Sequence, residues 1–262
     1  MTFSLIARCR ETGAFGAAIT TSDLAVGSRC IRLSHGRGAI LSQHRTDSRL
    51  GDLGIGLLSQ GQDAASAVAT VVASTPDIGW RQIGAMDATG AVAVHHGHRM
   101  YSIFSHSEGP DCLALGNILA NEHVTDAMVD AFAAAAGQPL AERLMLALEA
   151  GEAAGGEILG PLRSSALRVT GDDGIDAYDL RVDLSATSAV ADLRALFAAY
   201  GDRQAALRRV ALSPEEVPVQ RALFDASLQR IRDRGLTDRF PSADHPDGWT
   251  VTPQDANTRE KT

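Results

Sequence analysis

Thr2, in the opening stretch "MTFSLIARCRETGAFGAAITT", has the residue type and position of a nucleophile. An initiator methionine is normally removed when the next residue is small. That would leave a threonine whose free α-amine, with an ordinary pKa of about 7.7–8.0, sits beside its own hydroxyl. Such an amine can take the hydroxyl proton at neutral pH, and an N-terminal amine is a recognised activator of threonine. The competing reading of Thr2 is an ordinary edge residue of a first strand. Asn117, in "LGNILA", has an amide able to donate to a developing oxyanion, where one donor contributes roughly 2.7–4 kcal/mol to the barrier. Its bland alternative is a strand-end turn. Gly116 before it would let a substrate approach the backbone. Gln43 and His44 end "GAILSQH" on opposite faces, because strand side chains alternate. Gln43 suits the binding of a carboxamide or carboxylate, and His44 suits a proton or a polar contact.

Other chemistries are excluded or disfavoured. The sole lysine is Lys261, in a polar tail, so phosphate-loop, Schiff-base and catalytic lysines are absent from the body of the chain. In "HHGH" (95–98), His96 and His98 would share a strand face, but no third ligand has suitable spacing. A structural metal site takes about four ligands, so the stretch reads as a solvated loop and no metal or other cofactor is expected. Cys9, Cys30 and Cys112 fit neither a disulfide framework nor a zinc spacing and read as reduced, mostly buried thiols. Asp47, Asp52 and Asp63 read as helix-start residues.

The elements that must position these side chains follow from periodicity. Residues 2–8 and 14–20 alternate around the turn "RETG" and form a hairpin; 29–33 and 38–44 form a second strand pair. Residues 50–74 switch to helical spacing, with Asp63 capping "AASAVATVVAS" before Pro76. Strands return at 81–88, 91–97 and 112–119, helices at 121–136 and 139–150, and a last strand pair at 164–170 and 177–183. Short turns between consecutive strands favour antiparallel sheets and exclude a doubly wound nucleotide fold. Each helix pair must cover an apolar sheet face. The expected fold is therefore α+β, a four-layer αββα sandwich of two antiparallel sheets. We divide the chain into this domain (1–185), a helical extension (186–237) and a polar tail (238–262) read as mobile.

A chain of 262 residues with 45% apolar residues suffices for one large core. Its net charge of −8, without a basic block, argues against nucleic acid or anionic lipid as partner. Neither a signal-peptide pattern nor a run of about 18 apolar residues occurs, so a cytoplasmic location is expected.

"TFSLIARCRETGAFGAAITT", "AVGS", "GAILSQ", "GLLSQGQDAASAV", "RQIGAMDATGAVAVHHG", "LGNILA", "PLAERLMLALEAGEAAGG" and "SSALRV" together resemble a bacterial family similar to N-terminal nucleophile hydrolases, domain of unknown function 1028. The likeness runs from Thr2 to about Arg194. It implies the same αββα fold and a processed N-terminal threonine as nucleophile, without a settled substrate. Where the family pattern has a lysine after its second strand, this chain has Ser22. Where it has "GRQSAAL", this chain has "GPLRSSAL", with Arg163 and Ser164 at the middle positions; "ATQA" appears as "LSQH". Arg29 and Arg163 would then supply the positive field of the absent lysine. The resulting expectation is a hydrolase of a C–N bond in a small amide-type substrate, acting through an acyl-enzyme, with Thr2 and Asn117 catalytic. Ser22, Arg29, Gln43, His44, Gly116, Arg163 and Ser164 would line the binding site. The alternatives are a non-catalytic metabolite-binding protein on the same fold, or an esterase or lyase using the same terminus. The amphipathic C-terminal helices and scarce lysine suggest a homo-oligomer.

Overall fold

Ten strands, most of them built on alternating apolar residues, form in a computed structural model that describes residues 1–240. Strands β1 (Thr2–Arg8), β2 (Phe15–Thr21), β7 (Ile103–Gly109), β8 (Cys112–Leu119), β9 (Ser164–Val169) and β10 (Tyr178–Val182) form one sheet, ordered β10-β9-β2-β1-β8-β7. Strands β3 (Ile31–Ser34), β4 (Gly38–Gln43), β5 (Gln82–Asp87) and β6 (Val92–His96) form the other in sequence order. Every pairing is antiparallel.

The period of two decides what lies between the sheets. Ile6, Ala17, Ile19, Leu113, Leu115 and Ala166 of the first sheet meet Ile31, Ala39, Leu41 and Met86 of the second in one buried cluster. The opposite face of the second sheet, with Ile40, Ile83 and Ala85, is covered by α2 (Ser48–Ser59) and α3 (Ala64–Ala73). The outer face of the first sheet takes α4 (Val124–Ala134) and α5 (Leu140–Ala153), with Phe3 against Gly151 and Met128. Helix pair, sheet, sheet, helix pair is the layer order, an α+β sandwich.

Glycine sets the spacing at two places. A Cβ on Gly84 would stand 2.6 Å from Leu115 Cδ1, so its absence lets the sheets approach. One on Gly54 would stand 2.0 Å from Ile40 Cδ1, so helix α2 lies close on its sheet. Asp47 and Asp63 cap α2 and α3 with side-chain bonds to Arg49 N and Ser66 N. Asp52 instead pairs with Arg32.

Three expectations differ from the structure. Residues 29 and 30 belong to a short helix, α1 (Val26–Cys30), and the strand begins at Ile31. Strand β7 was not expected. His95 and His96 are half-buried members of β6 rather than part of a solvated loop. The three cysteines are free, two of them buried.

Met1–Ala199 is one compact unit, and a second begins at Tyr200. Helix α6 (Ala189–Leu212) starts in the first unit, where Ala189, Val190 and Leu193 are buried and Arg194 pairs with Glu142 and Glu149 of α5. The first compact unit runs to Ala199, past the boundary at 185 that the last strand pair suggests in the sequence. The second unit holds the rest of α6, a 3-10 turn at Pro214–Glu216 and α7 (Arg221–Asp233). Most of the 238–262 tail lies outside the described residues. No helix among the described residues is long and apolar enough to cross a membrane.

Candidate functional site

Alternation turns from apolar to polar at one end of the sandwich. Continuing the inward-facing positions, Ser4 and Thr2 follow Ile6; Thr21 follows Ile19; Asn117 follows Leu115; and Ser164 precedes Ala166. On the facing sheet, Gln43 follows Leu41, Gln82 precedes Gly84, and His96 follows Val94. A two-residue period that fills the core with aliphatic groups thereby places a polar layer where both sheets end. Thr2 is paired with Asn117 in register and is 6% exposed; Asn117, Gln43 and Gln82 are fully buried.

The amides form one chain of hydrogen bonds whose direction is fixed by a backbone carbonyl. Gln82 Nε2 donates to Gly116 O (2.9 Å), so its Oε1 is the acceptor for Gln43 Nε2 (2.6 Å) and Asn117 Nδ2 (3.0 Å). Gln43 Oε1 then accepts from Ser4 Oγ (3.0 Å). The second Gln82 proton goes to His96 Nδ1 (3.1 Å), which leaves the His96 proton on Nε2, donated to His106 Nδ1 (3.0 Å). Burial, reinforced by His106 and His95, lowers the His96 pKa to about 4, which keeps the ring neutral. Asn117 Oδ1 is buried without a hydrogen-bond partner among the described residues.

Thr2 Oγ1 and Thr21 Oγ1 both donate to the Met1 carbonyl, and Ser22 Oγ lies 3.7 Å from Met1 Sδ. Burial lowers the pKa of the chain's amino group, and Glu157 opposes that shift. Glu157 is itself buried, accepts from Ser22 N (3.1 Å) and has its carboxyl pKa raised by desolvation. It stands after the Gly155-Gly156 break, and a bridge to Leu119 brings it to the strand that carries Asn117. Neither Thr21 nor Glu157 was singled out from sequence. Inward alternation through Ala17 and Ile19 would have exposed Thr21; nothing local marks Glu157.

His44 closes the site from the second sheet. Its Nδ1 donates to Trp80 O (2.6 Å), so Nε2 is the basic nitrogen, and that atom is buried without a partner among the described residues. Desolvation lowers the His44 pKa. His44, Arg45, Ile118 and Ala25 have φ of 55°, 50°, 55° and 51°, a left-handed conformation that costs a side-chain-bearing residue about 1–3 kcal/mol. Ile118 is the sharpest case because it is β-branched. Such strain at strand ends clusters at sites of function.

The remaining expected residues have local engagements. Ser164 Oγ donates to Asp23 O (2.7 Å) and accepts from Val26 N (3.1 Å), fastening the loop after β2. Arg163 is exposed, with its N donating to Thr21 O. Arg29 donates to Leu24 O (2.8 Å) and faces Asp23. A Cβ on Gly116 would meet Leu119 at 2.6 Å. Among the described residues no group of three or more His, Cys, Asp or Glu is arranged to hold a metal ion.

Two stacked antiparallel sheets between helix pairs, with a buried polar layer at one end, define the class of protein. The model of the family of unknown function DUF1028 matches residues 2–193, and the chain belongs to that family. It is similar to the crystal structure of a DUF1028 protein from Silicibacter pomeroyi, at 30% identity and a TM-score of 0.70, covering 76% of this chain and 85% of that one. A looser likeness is to the ancestral β-subunit Anbu of Yersinia bercovieri, at 10% identity and a TM-score of 0.37, over 78% of this chain and 96% of that one. No curated protein matches.

Proposed function

We propose that the chain is a hydrolase of the N-terminal nucleophile type, cleaving a C–N bond of a small amide-type substrate once Met1 is removed. The observation that carries this reading is the convergence, on one buried inner face, of Thr2 at the start of β1, Thr21 on β2 and Asn117 on β8. In the proposed sequence the Thr2 α-amine takes the Thr2 hydroxyl proton as Oγ1 bonds to the substrate carbonyl carbon. The carbonyl electrons move to oxygen, where the Asn117 amide proton not given to Gln82 stabilises them. Collapse breaks the C–N bond, and the ammonium proton goes to the leaving amine. Water then hydrolyses the ester. Thr21 Oγ1, which now meets the Met1 carbonyl, would hold the freed amine, and Glu157 would set the field around it.

One observation favours a binding protein on the same fold: an Asn117 proton is already committed to Gln82. Mass spectrometry of purified protein, followed by labelling with a β-lactone, separates the readings. Loss of Met1 and an adduct on the wild type and Thr2→Ser, absent from Thr2→Ala, supports the hydrolase. A retained Met1, or equal labelling of all three, overturns it. Paired amide and ester panels distinguish an amidase from an esterase. A homo-oligomer is also proposed, on the exposed Leu207, Val210, Leu212 and Leu223 of α6 and α7; a monomer by light scattering would refute it.

A further inference from the structure

Three arginines stand on the loops at the same end of the second sheet as His44. Arg45 follows His44 after β4, Arg81 precedes β5, and Arg99 follows β6. Trp80 gathers two of them: the Arg45 guanidinium lies 4.4 Å and that of Arg99 5.6 Å from its ring centroid, while its carbonyl holds His44. Among the described residues no carboxylate lies within ion-pair distance of any of the three; Arg37, Arg143 and Arg163 share that lack but stand apart in the chain, whereas Arg8, Arg10, Arg32, Arg49, Arg168 and Arg194 each have one. Asp47, whose carboxyl feels the charge of Arg81, is itself engaged by Arg49 at 2.7 Å. Arg81 Nε is buried and unpartnered among the described residues, as is His44 Nε2. Cations gathered around one aromatic ring with no carboxylate beside them repel one another. An anion in that place would relieve that repulsion.

The same group adjoins the polar layer that holds Thr2, because His44 directly follows Gln43, whose amide meets Ser4 of β1 and Gln82 of β5. His44 feels both the chain's amino group and the charges of Arg45 and Arg81. With His44 neutral at pH 7, the positive field comes from the arginines, while Nε2 remains an acceptor.

We infer that Arg45 and Arg99, stacked on Trp80, together with Arg81 beside it in the chain, bind a carboxylate of the substrate. The substrate class is then an anionic amide, an acyl compound whose carboxylate lies on the arginine side while its scissile carbonyl reaches Thr2. Guanidinium forks match a carboxylate's two oxygens, and Trp80 holds two of them in place without using their donors. This inference rests on the reading of Thr2 as nucleophile.

Two β-lactone probes that differ only in one arm, a free carboxylate or its carboxamide, test it on the full chain with Met1 removed. The expected result is adduct formation at Thr2 roughly tenfold or more faster with the carboxylate probe, a preference reduced by Arg45→Gln and by Arg81→Gln. Arg99→Gln, at an exposed position, keeps the test sound should Arg81→Gln fail to fold. Equal rates for both probes overturn the anion site and leave the nucleophile standing. Should neither probe react, the Thr2 reading fails. The two ring-opened probes, each blocked as a methylamide at the lactone-derived carboxyl so that they differ only in the carboxylate or carboxamide arm, are then titrated by calorimetry. Binding of the acid alone, weakened in the arginine variants, sustains the anion site, and indifference between the two ligands refutes it.

Discussion

Gln82 holds four neighbours (Gln43, Asn117, Gly116 and His96) with one amide, which serves as both donor and acceptor. Replacing it with leucine orphans the amide protons of Gln43 and Asn117 and the carbonyl of Gly116, all buried. Each orphaned group costs about 1–3 kcal/mol, so Gln82→Leu is expected to lose at least about 2 kcal/mol, read from urea midpoints. Gln82→Glu keeps the acceptors but places a carboxylate beside His96; the His96 pKa should rise from about 4 toward neutrality in a histidine NMR titration. That low value also makes a statement about stability in the wild type. The unfolded chain protonates this ring near its ordinary 6.5, the folded chain only near 4, so between those values the unfolded state binds more protons. Stability is therefore fully present above pH 6.5 and falls as the pH drops through that window, by at most about 3 kcal/mol, and is level below it. Glu157, its carboxyl pKa raised by burial, contributes with the opposite sign. The difference between wild-type and His96→Asn denaturation midpoints from pH 7 to 4 isolates the histidine. A constant difference would contradict the buried neutral ring.

Two of the three glycines in helix α2, Gly54 and Gly56, have opposite environments, and they predict opposite outcomes for one substitution. A Cβ at Gly56 meets nothing within 4 Å, so Gly56→Ala should stabilise by about 0.5–1 kcal/mol through reduced unfolded-state freedom and better helix propensity. At Gly54 the new methyl would overlap Ile40, so Gly54→Ala should destabilise by about 1–3 kcal/mol despite the same propensity gain. Thermal melts of the two variants check the pair. Elements of this kind were legible where one face is buried: the first hairpin, α2 with its successor and the last strand pair all announce themselves by period. Strand β7 did not, because "IFSHSEG" is an edge strand with serine, histidine and glutamate on its faces and no apolar alternation to read. The five-residue α1 is too short to show a helical period. The candidate site was legible at Thr2, Asn117 and Gln43 through residue type and strand position. Gln82 and Glu157 were not, because their meaning comes from pairing across the fold: one through the β4–β5 register, the other through a bridge to Leu119.

At the scale of the chain, burial divides what alternation and helical period alone do not. The unit ending at Ala199 contains every buried residue described, whereas from Tyr200 to Phe240 none is buried. Helices without a buried face depend on intrinsic propensity, and lengths of one to two dozen residues are marginal on that basis. Backbone opening in this segment of the single chain should therefore cost far less free energy than opening of the strands between Thr2 and Val182. Arg203, Arg208, Arg209, Arg230, Arg232 and Arg234 offer trypsin sites there. Brief digestion is expected to cut among them first and to leave an N-terminal fragment that retains the paired strands around Thr2. By electrospray mass the fragment should end within 203–234, and its melting temperature should match that of the intact chain, because none of the described residues lost is buried. First cuts at Arg81, Arg99 or Arg143 would place the weak point inside the layered unit instead. A fragment that melts well below the parent would assign the C-terminal helices a stabilising role that their exposure denies.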